Sequence, residues 1–259
     1  MQKIKNITII GSGNVATHLG KYLYNAKYKI DYIYSRNIKN AKTLAKSVNA
    51  DPVDDIAEVH AKSDLFLIAV SDNAIEIIAK QLNKYLGRKI NVVHTSGMVS
   101  SEIFRGYFYN YGVFYPLQTF TKEREIDIKE VPFFITANND DFEKKLFKVA
   151  KKLSSNINII SDKERKVLHV AAVFANNFTN YMYSISKDIL ESEKMEFDLL
   201  YPLIKETTDK VLSGYNPKKI QTGPAVRKDY NTIKQHLKYL KKYPEYKEIY
   251  KFLTEKVTD

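Results

Sequence analysis

The chain has 259 residues and a formal net charge of +11, with 44% hydrophobic and 27% charged residues. This balance is typical of a globular protein, and no apolar run approaches the roughly 20 residues that cross a membrane, so we expect a soluble protein. The chain contains no cysteine, which excludes disulfides, thiolate metal sites and cysteine nucleophiles. Because the N-terminus does not resemble a secretory signal, we also expect a cytoplasmic location.

The first predicted element is a short strand at residues 6–10, which is rich in β-branched residues and ends at a glycine. After the glycines, Val15, Leu19, Leu23 and Ala26 recur at the spacing of one helix face. The glycines therefore lie between a strand and a helix.

Further strands and helices alternate along the first two thirds of the chain. Helical patterns cover residues 38–48 and 74–86, and strands are predicted at 30–34, 65–70, 91–94, 112–115, 132–136 and 157–160. Strands alternating with helices at this spacing indicate a parallel sheet with helices on both faces. The predicted fold class is α/β, with a doubly wound Rossmann-type parallel sheet domain at residues 1–161 followed by an all-α C-terminal domain at residues 162–259.

The predicted C-terminal domain contains only helical patterns, at residues 163–193, 202–212 and 224–240, with a short tail helix. The first of these helices is almost wholly apolar from Val167 to Ala175. We expect it to be buried on several sides and to lie at a domain or subunit interface, which predicts a homodimer built through the helical domain.

The glycine loop fits the requirements of a dinucleotide-binding turn. Gly11 permits a tight turn, Gly13 lets the backbone approach a pyrophosphate, and the small Ala16 allows the helix to pack against the strand. The pyrophosphate would rest on the N-terminus of the helix, where free N–H groups attract anions.

The end of the second strand predicts NADP as the cofactor. Asp31 has a suitable distance in sequence for binding the ribose of NAD, but it stands at the start of this strand, whereas the ribose lies beyond its end. Ser35 and Arg36 offer a hydroxyl and a guanidinium for a 2′-phosphate, although Arg36 could equally be a solvated loop residue. The predicted cofactor-binding residues come from the glycine loop and the ends of the second and third strands: Gly11, Ser12, Gly13, Asn14, Val15, Ser35, Arg36, Val70 and Ser71.

Five segments carry a resemblance to a known family. The stretches IIGSGNVATHL, VVHTSG, FYPLQTF, HVAAVFANNFTN and GPAVRKD, which begin at residues 9, 92, 114, 169 and 223, resemble Rossmann-like NADP oxidoreductases with a C-terminal helical domain of unassigned function. This group is similar to ketopantoate reductase, pyrroline-carboxylate reductase and the deazaflavin-dependent NADP reductases. The resemblance implies reduction of a small oxo acid or cyclic imine, with ketopantoate as the most specific guess.

Catalysis by such an enzyme requires a proton donor beside the substrate. Members of this wider class commonly present a lysine and an asparagine four residues apart on the long helix, but here Val170 follows Lys166 at that spacing. The same helix offers His169 and Asn177 near one face. His169 is either the proton donor or substrate ligand, or a structural, hydrogen-bonded histidine.

Two further segments supply candidate site residues. His94 and Ser96 follow a strand at the carboxyl edge of the sheet, where such folds bind ligands, although the segment could instead be a turn that these hydroxyls cap. Arg227 could bind a substrate carboxylate or simply pair with Asp229. The predicted catalytic residues are His169, Asn177, His94, Ser96 and Arg227, in a cleft between the domains, and no metal site is predicted.

Two other interpretations remain at this stage. The protein could be a dinucleotide-binding sensor or scaffold without turnover, since the lysine and asparagine pair is missing. The lysine- and tyrosine-rich tail could suggest nucleic acid, but its apolar residues recur at helical spacing, so we predict a solvated helix. We therefore expect a small anionic substrate as partner and no nucleic-acid or membrane partner.

Overall fold

A computed structural model describes residues 3–258 of the chain. Its centre is an eight-stranded sheet formed by β1 (Asn6–Ile10), β2 (Lys29–Tyr34), β3 (Asp51–Val53), β4 (Leu65–Ile68), β5 (Asn91–His94), β6 (Asn110–Pro116), β7 (Phe133–Ala137) and β8 (Ile157–Ile159). The spatial order is β3-β2-β1-β4-β5-β6-β7-β8. Since the strand order reverses direction between β1 and β4, the ligand crevice of such a sheet is expected at their carboxyl ends.

Helices α1 (Asn14–Asn25), α2 (Ile38–Val48), α3 (Asp72–Leu86) and α4 (Asp140–Lys151) connect these strands and cover the sheet. Strands β1 and β4 are fully apolar at their buried positions, and two clusters of buried side chains separate the helices from the sheet on its two faces. Burial of this kind contributes roughly 25 cal/mol for each Å² of apolar surface removed from water. The predicted doubly wound Rossmann-type fold is confirmed.

The sheet differs from the prediction in two respects. Strand β3 was not predicted, because it has only three residues and one of them is Pro52, which cannot donate to a strand ladder. Strand β7 runs antiparallel to β6, while the other neighbouring strands pair in parallel. The sheet is therefore mostly rather than wholly parallel.

The remaining helices follow β8 along the chain. They are α5 (Asp162–Ala172), a π-helical segment (Val173–Phe178), α6 (Thr179–Ser192), α7 (Tyr201–Leu212), α8 (Tyr230–Tyr239) and α9 (Pro244–Thr258). Residues 162–192 thus form one long helical stretch, as the sequence predicts. In residues 3–258, no helix combines the length and the apolar character that crossing a membrane requires.

The prediction that a helix begins near Pro224 is wrong. Helix α8 begins only at Tyr230, where the Asp229 side chain caps it by accepting a hydrogen bond from the N–H of Thr232. Lys228, just before the cap, has a φ of 55°, in the left-handed region that interrupts an α-helix. Residues 224–229 therefore form turns.

The long helix is also less buried within the chain than predicted. Only Arg165 of α5 is buried, while Val167 and Val170 are 66% and 49% exposed. The apolar run from Val167 to Ala175 therefore does not pack on several sides inside one chain.

The chain divides into two compact units, residues 1–176 and 177–259. The division falls inside the long helical stretch rather than after residue 161, so the predicted boundary stays a prediction. The second unit is helical throughout its regular elements, and Leu240 is the only buried residue among its described residues, 177–258.

Candidate functional site

The glycine loop joins β1 to α1 by a turn that requires glycine. Gly11 has a φ of 127°, and a Cβ atom at this position would overlap the carbonyl group of Ala69. Gly13 is the N-cap residue of α1, no side chain caps the helix there, and the space where its Cβ would lie is open. The first N–H groups of α1 are thus available to a phosphate that approaches the Gly13 backbone.

A cavity of about 600 Å³ opens at this loop, at the carboxyl ends of β1, β2 and β4. This volume is within the range of small-molecule and cofactor sites. All of the predicted cofactor-binding residues line it, namely Gly11, Ser12, Gly13, Asn14, Val15, Ser35, Arg36, Val70 and Ser71. Thr95, just after β5, closes the lining on the side of the next strand.

The end of β2 presents polar groups to this cavity. The Ser12 hydroxyl donates a hydrogen bond to Ser35 Oγ across 2.8 Å, so the Ser35 hydroxyl keeps its own hydrogen for another acceptor. Arg36 is exposed and forms no ion pair with a residue in the range 3–258. These two side chains can bind an anion.

Asp31 does not reach the cavity. It is 8% exposed, accepts a hydrogen bond from Ser63 Oγ at 2.6 Å and forms an ion pair with Lys29 at 2.8 Å. Its carboxylate is therefore committed to partners within the fold, in agreement with its exclusion as a ribose ligand.

The structure places His94 and Ser96 differently from their predicted role in contacting substrate. His94 is fully buried, and its Nδ1 accepts a hydrogen bond from the backbone N–H of Ser96 at 3.1 Å. Burial and the nearby charge of Arg165 lower the pKa of His94 from 6.5 to about 3. The Ser96 Oγ accepts from the N–H groups of Met98 and Val99, so Ser96 caps a turn, which is the alternative that the sequence left open.

His169 lies on α5 beside the turn that these residues build. Its Nδ1 is 3.0 Å from the hydroxyl oxygen of Tyr115, at the end of β6. A Cβ atom on Gly97 would overlap the His169 ring and lie 3.0 Å from Tyr115 Cζ, so the Gly97 backbone packs against both side chains. The histidine is half-buried. It thus occupies the edge of the sheet that also carries the cavity.

Tyr115 was not among the predicted site residues, although it belongs to the FYPLQTF segment at a strand end. Its ring is 8% exposed, and burial raises the pKa of its hydroxyl above the usual value of 10.0, against the opposing charge of Arg165. The hydroxyl therefore remains protonated at neutral pH.

Arg165 attaches α5 to the sheet one turn before His169. Its buried guanidinium donates to Asp162 Oδ1 at 2.6 Å, to Thr136 Oγ1 at 3.0 Å and to the carbonyl oxygen of Val99 at 2.5 Å. Since residues four apart on a helix share a face, this anchoring also fixes the position of His169.

Asp162 extends this network to the loop after β5. It accepts hydrogen bonds from the hydroxyls of Ser100 and Ser101 and from the N–H of Ser101 at 2.8 Å. Burial alone would raise the pKa of Asp162, but the bonds from Ser100 and Arg165 hold it below 3.8. The sequence analysis missed both Asp162 and Arg165.

Asn177 and Arg227 belong to the second unit. Asn177 lies in the π-helical segment, a feature that often occurs at functional sites. Arg227 lies in the turns before α8, and no described ion pair joins it to Asp229. The prediction that Asn177 shares a face with His169 assumed an uninterrupted α-helix, so the roles of Asn177 and Arg227 stay predictions.

Metal ligands are not clustered in the described part of the chain. No group of three or more His, Asp or Glu side chains in residues 3–258 is arranged to hold a metal ion.

Comparisons with known proteins identify two family domains in the chain. Residues 6–96 match the family described as NADP oxidoreductase, coenzyme F420-dependent. Residues 131–257 match DUF2520, a domain of unknown function. A search of curated protein sequences finds no significant match.

Solved structures extend this result over the whole chain. A Bacteroides fragilis protein provisionally described as an NADP oxidoreductase is 38% identical, with 98% of both chains covered and a TM-score of 0.94. A Thermotoga maritima protein is 26% identical over 98% of this chain and 100% of its own, with a TM-score of 0.76. An imine reductase from Myxococcus stipitatus, solved with NADP⁺, is 16% identical over 98% and 91% of the two chains and shares the fold, with a TM-score of 0.63. The identity to the Bacteroides fragilis protein along both full lengths shows that the chain belongs to its family, the NADP oxidoreductases in which a dinucleotide-binding domain is combined with a DUF2520 domain.

Proposed function

We propose that the protein reduces the carbonyl or imine group of a small anionic substrate with NADPH, an oxo acid or a cyclic imine, and that ketopantoate is the first substrate to test. The observation that carries the proposal is the position of His169. Its imidazole lies against Gly97 and Tyr115 at the carboxyl edge of the sheet, and Thr95, two residues before Gly97, lines the cavity that suits the cofactor.

The residues around the cavity fit NADPH. The Gly13 backbone and the uncapped start of α1 provide N–H groups for the pyrophosphate. Ser35 and Arg36 provide a hydroxyl and a guanidinium, which form charge-assisted hydrogen bonds to a 2′-phosphate. When bound, NADPH supplies the hydride that reduces the substrate carbon.

His169 supplies the proton in this proposal. As negative charge develops on the substrate oxygen or nitrogen, the imidazolium donates the hydrogen of its Nε2, and the neutral imidazole regains a proton from solvent. Arg227 binds the substrate carboxylate through its guanidinium, as the sequence predicts.

The oligomer and the location of the protein also stay proposals. A homodimer built through the helical domain is supported by the exposed apolar side chains of α5 and of the second unit. The cytoplasmic location and the lack of nucleic-acid and membrane partners stay predictions.

The test is to follow NADPH absorbance in a screen of small 2-oxo acids and cyclic imines, with ketopantoate first. We expect NADPH oxidation that depends on one substrate class and that His169→Gln strongly reduces. Tight NADPH binding without turnover of any of these compounds would contradict the proposal and favour the sensor interpretation.

A further inference from the structure

Tyr115 has one defined hydrogen-bond partner. Its hydroxyl lies 3.0 Å from Nδ1 of His169, the two rings meet edge to face with centroids 6.0 Å apart, and no other partner of this hydroxyl occurs within residues 3–258. The contact joins residues that are 54 positions apart in sequence. It therefore depends on the tertiary fold, not on local helix structure.

The surroundings of His169 close one side of its ring. Gly97 packs so tightly against Nδ1 and Cγ that a Cβ atom would overlap them. Nε2 makes no described hydrogen bond, yet it is not among the enclosed polar atoms that lack a partner, so it is open to solvent. The ring thus presents one occupied nitrogen to the protein and one free nitrogen to a substrate.

The chemistry of the pair determines which nitrogen carries the hydrogen. A phenol is a better hydrogen-bond donor than a neutral imidazole N–H, and an imidazole nitrogen is a better acceptor than a phenol oxygen. In the neutral state Tyr115 therefore donates to Nδ1, and the ring hydrogen resides on Nε2. In the imidazolium state the Nδ1–H donates to the Tyr115 oxygen instead, so Nε2 carries a hydrogen in both states.

We infer that Tyr115 is a positioning residue for His169, which holds the imidazole with its Nε2–H directed toward the substrate. This inference rests on the proposed function for its kinetic consequence, but the tautomer of His169 is independent of any substrate. Tyr115 itself does not contact the reacting atoms. Its effect on turnover is exerted through His169.

The tautomer can be measured without turnover. Long-range proton–nitrogen NMR correlations on protein labelled at the histidine ring nitrogens distinguish the two neutral forms, and His169→Gln assigns the His169 signals among the five histidines. We expect neutral His169 to be the Nε2–H tautomer in the native protein and a mixture of both tautomers in Tyr115→Phe. An Nδ1–H tautomer in the native protein, or an unchanged tautomer in the variant, overturns the inference.

Tyr111→Phe is the matched control. Tyr111 lies on the same strand four residues earlier, and its hydroxyl donates to Glu102 Oε1 at 3.1 Å. This variant loses one tyrosine hydroxyl from β6 without touching His169, so the tautomer is expected to stay as in the native protein. Unchanged signals of the other four histidines in Tyr115→Phe verify that the variant is folded.

A double-mutant cycle tests the kinetic consequence once a substrate is known. We expect Tyr115→Phe to lower kcat roughly 10-fold, because a misoriented proton donor reacts slowly, with little change in the KM for NADPH. In the His169→Gln background the same change is expected to have less than about a 2-fold effect. An equal loss in both backgrounds overturns the inference, whereas a lack of turnover in the native protein contradicts the proposed function and leaves the tautomer result standing.

Discussion

The backbone N–H of Ser96 donates a hydrogen bond to Nδ1 of His94 in the interior of the protein, across 3.1 Å. The bond keeps this nitrogen unprotonated, and burial beside the charge of Arg165 lowers the pKa of the ring to about 3. His94 is therefore a neutral structural residue at physiological pH, and it supports the turn against which His169 packs.

The pKa of His94 predicts a pH dependence of stability. In the unfolded chain His94 binds a proton below its usual pKa of 6.5, whereas in the folded protein it does so only below about 3. Between these values the unfolded state binds more protons, so the free energy of unfolding falls as the pH falls. His94→Asn keeps an acceptor for Ser96 and removes this titration.

Urea unfolding at pH values between 6.5 and 3 measures the effect. We expect the native protein to lose more stability over this window than the His94→Asn variant does. Parallel pH profiles of the two proteins would contradict the buried, neutral state of His94.

The two loop glycines are expected to respond differently to substitution. Gly11→Ala places a Cβ against the Ala69 carbonyl at a positive φ, so we expect a loss of stability of at least about 1–3 kcal/mol. Gly13→Ala meets open space, so we expect stability within about 0.5 kcal/mol of native but weaker NADPH binding, because the methyl group obstructs the pyrophosphate. Urea unfolding and NADPH titration test both variants; native affinity in a folded Gly13→Ala protein would place the pyrophosphate elsewhere.

How far the sequence predicted this structure depends on the range of each interaction. Strands β1 and β5 have the predicted bounds, because they are short apolar runs that end at glycine or polar residues. The contacts of Tyr115 with His169 and of Arg165 with Val99 join residues 54 and 66 positions apart. Such contacts leave no periodic signal, so the candidate cofactor loop could be predicted and the environment of His169 could not.

The preference for NADPH over NADH is expected to depend on Arg36. Its guanidinium forms charge-assisted hydrogen bonds that a 2′-phosphate accepts and a 2′-hydroxyl does not, so Arg36→Ala should weaken NADPH binding by roughly 10-fold and leave NADH binding nearly unchanged. Lys42→Ala, which removes an exposed charge of the same sign from α2, is the control. Cofactor fluorescence titration gives both affinities, and equal affinities in the native protein would refute this assignment.

His169 and Arg227 are expected to affect different kinetic constants. Loss of a proton donor acts on the transition state, so His169→Gln should lower kcat roughly 100-fold or more with nearly native NADPH affinity. Arg227 binds the substrate in both the ground and the transition state, so Arg227→Ala should mainly raise the KM for the substrate. Steady-state kinetics of the two variants test this division, and native turnover in both would remove them from the active site.

A homodimer is expected because large apolar side chains remain in contact with solvent in the single chain. On α5, Val167 is 66% exposed; in the second unit, Leu203 and Leu212 on α7 are 64% and 79% exposed. Exposed apolar surface on this scale is typical of an interface, and a second copy of the same chain is the commonest partner.

Light scattering at micromolar concentration is expected to give the mass of a dimer. Val167→Glu places a charge among these apolar side chains, so it should weaken the dimer, because burying an unpaired carboxylate is costly. The neighbouring Lys166→Glu changes an exposed polar position of the same helix and should leave the mass unchanged. A native protein that stays monomeric would mean that its exposed valines and leucines do not form a self-association surface.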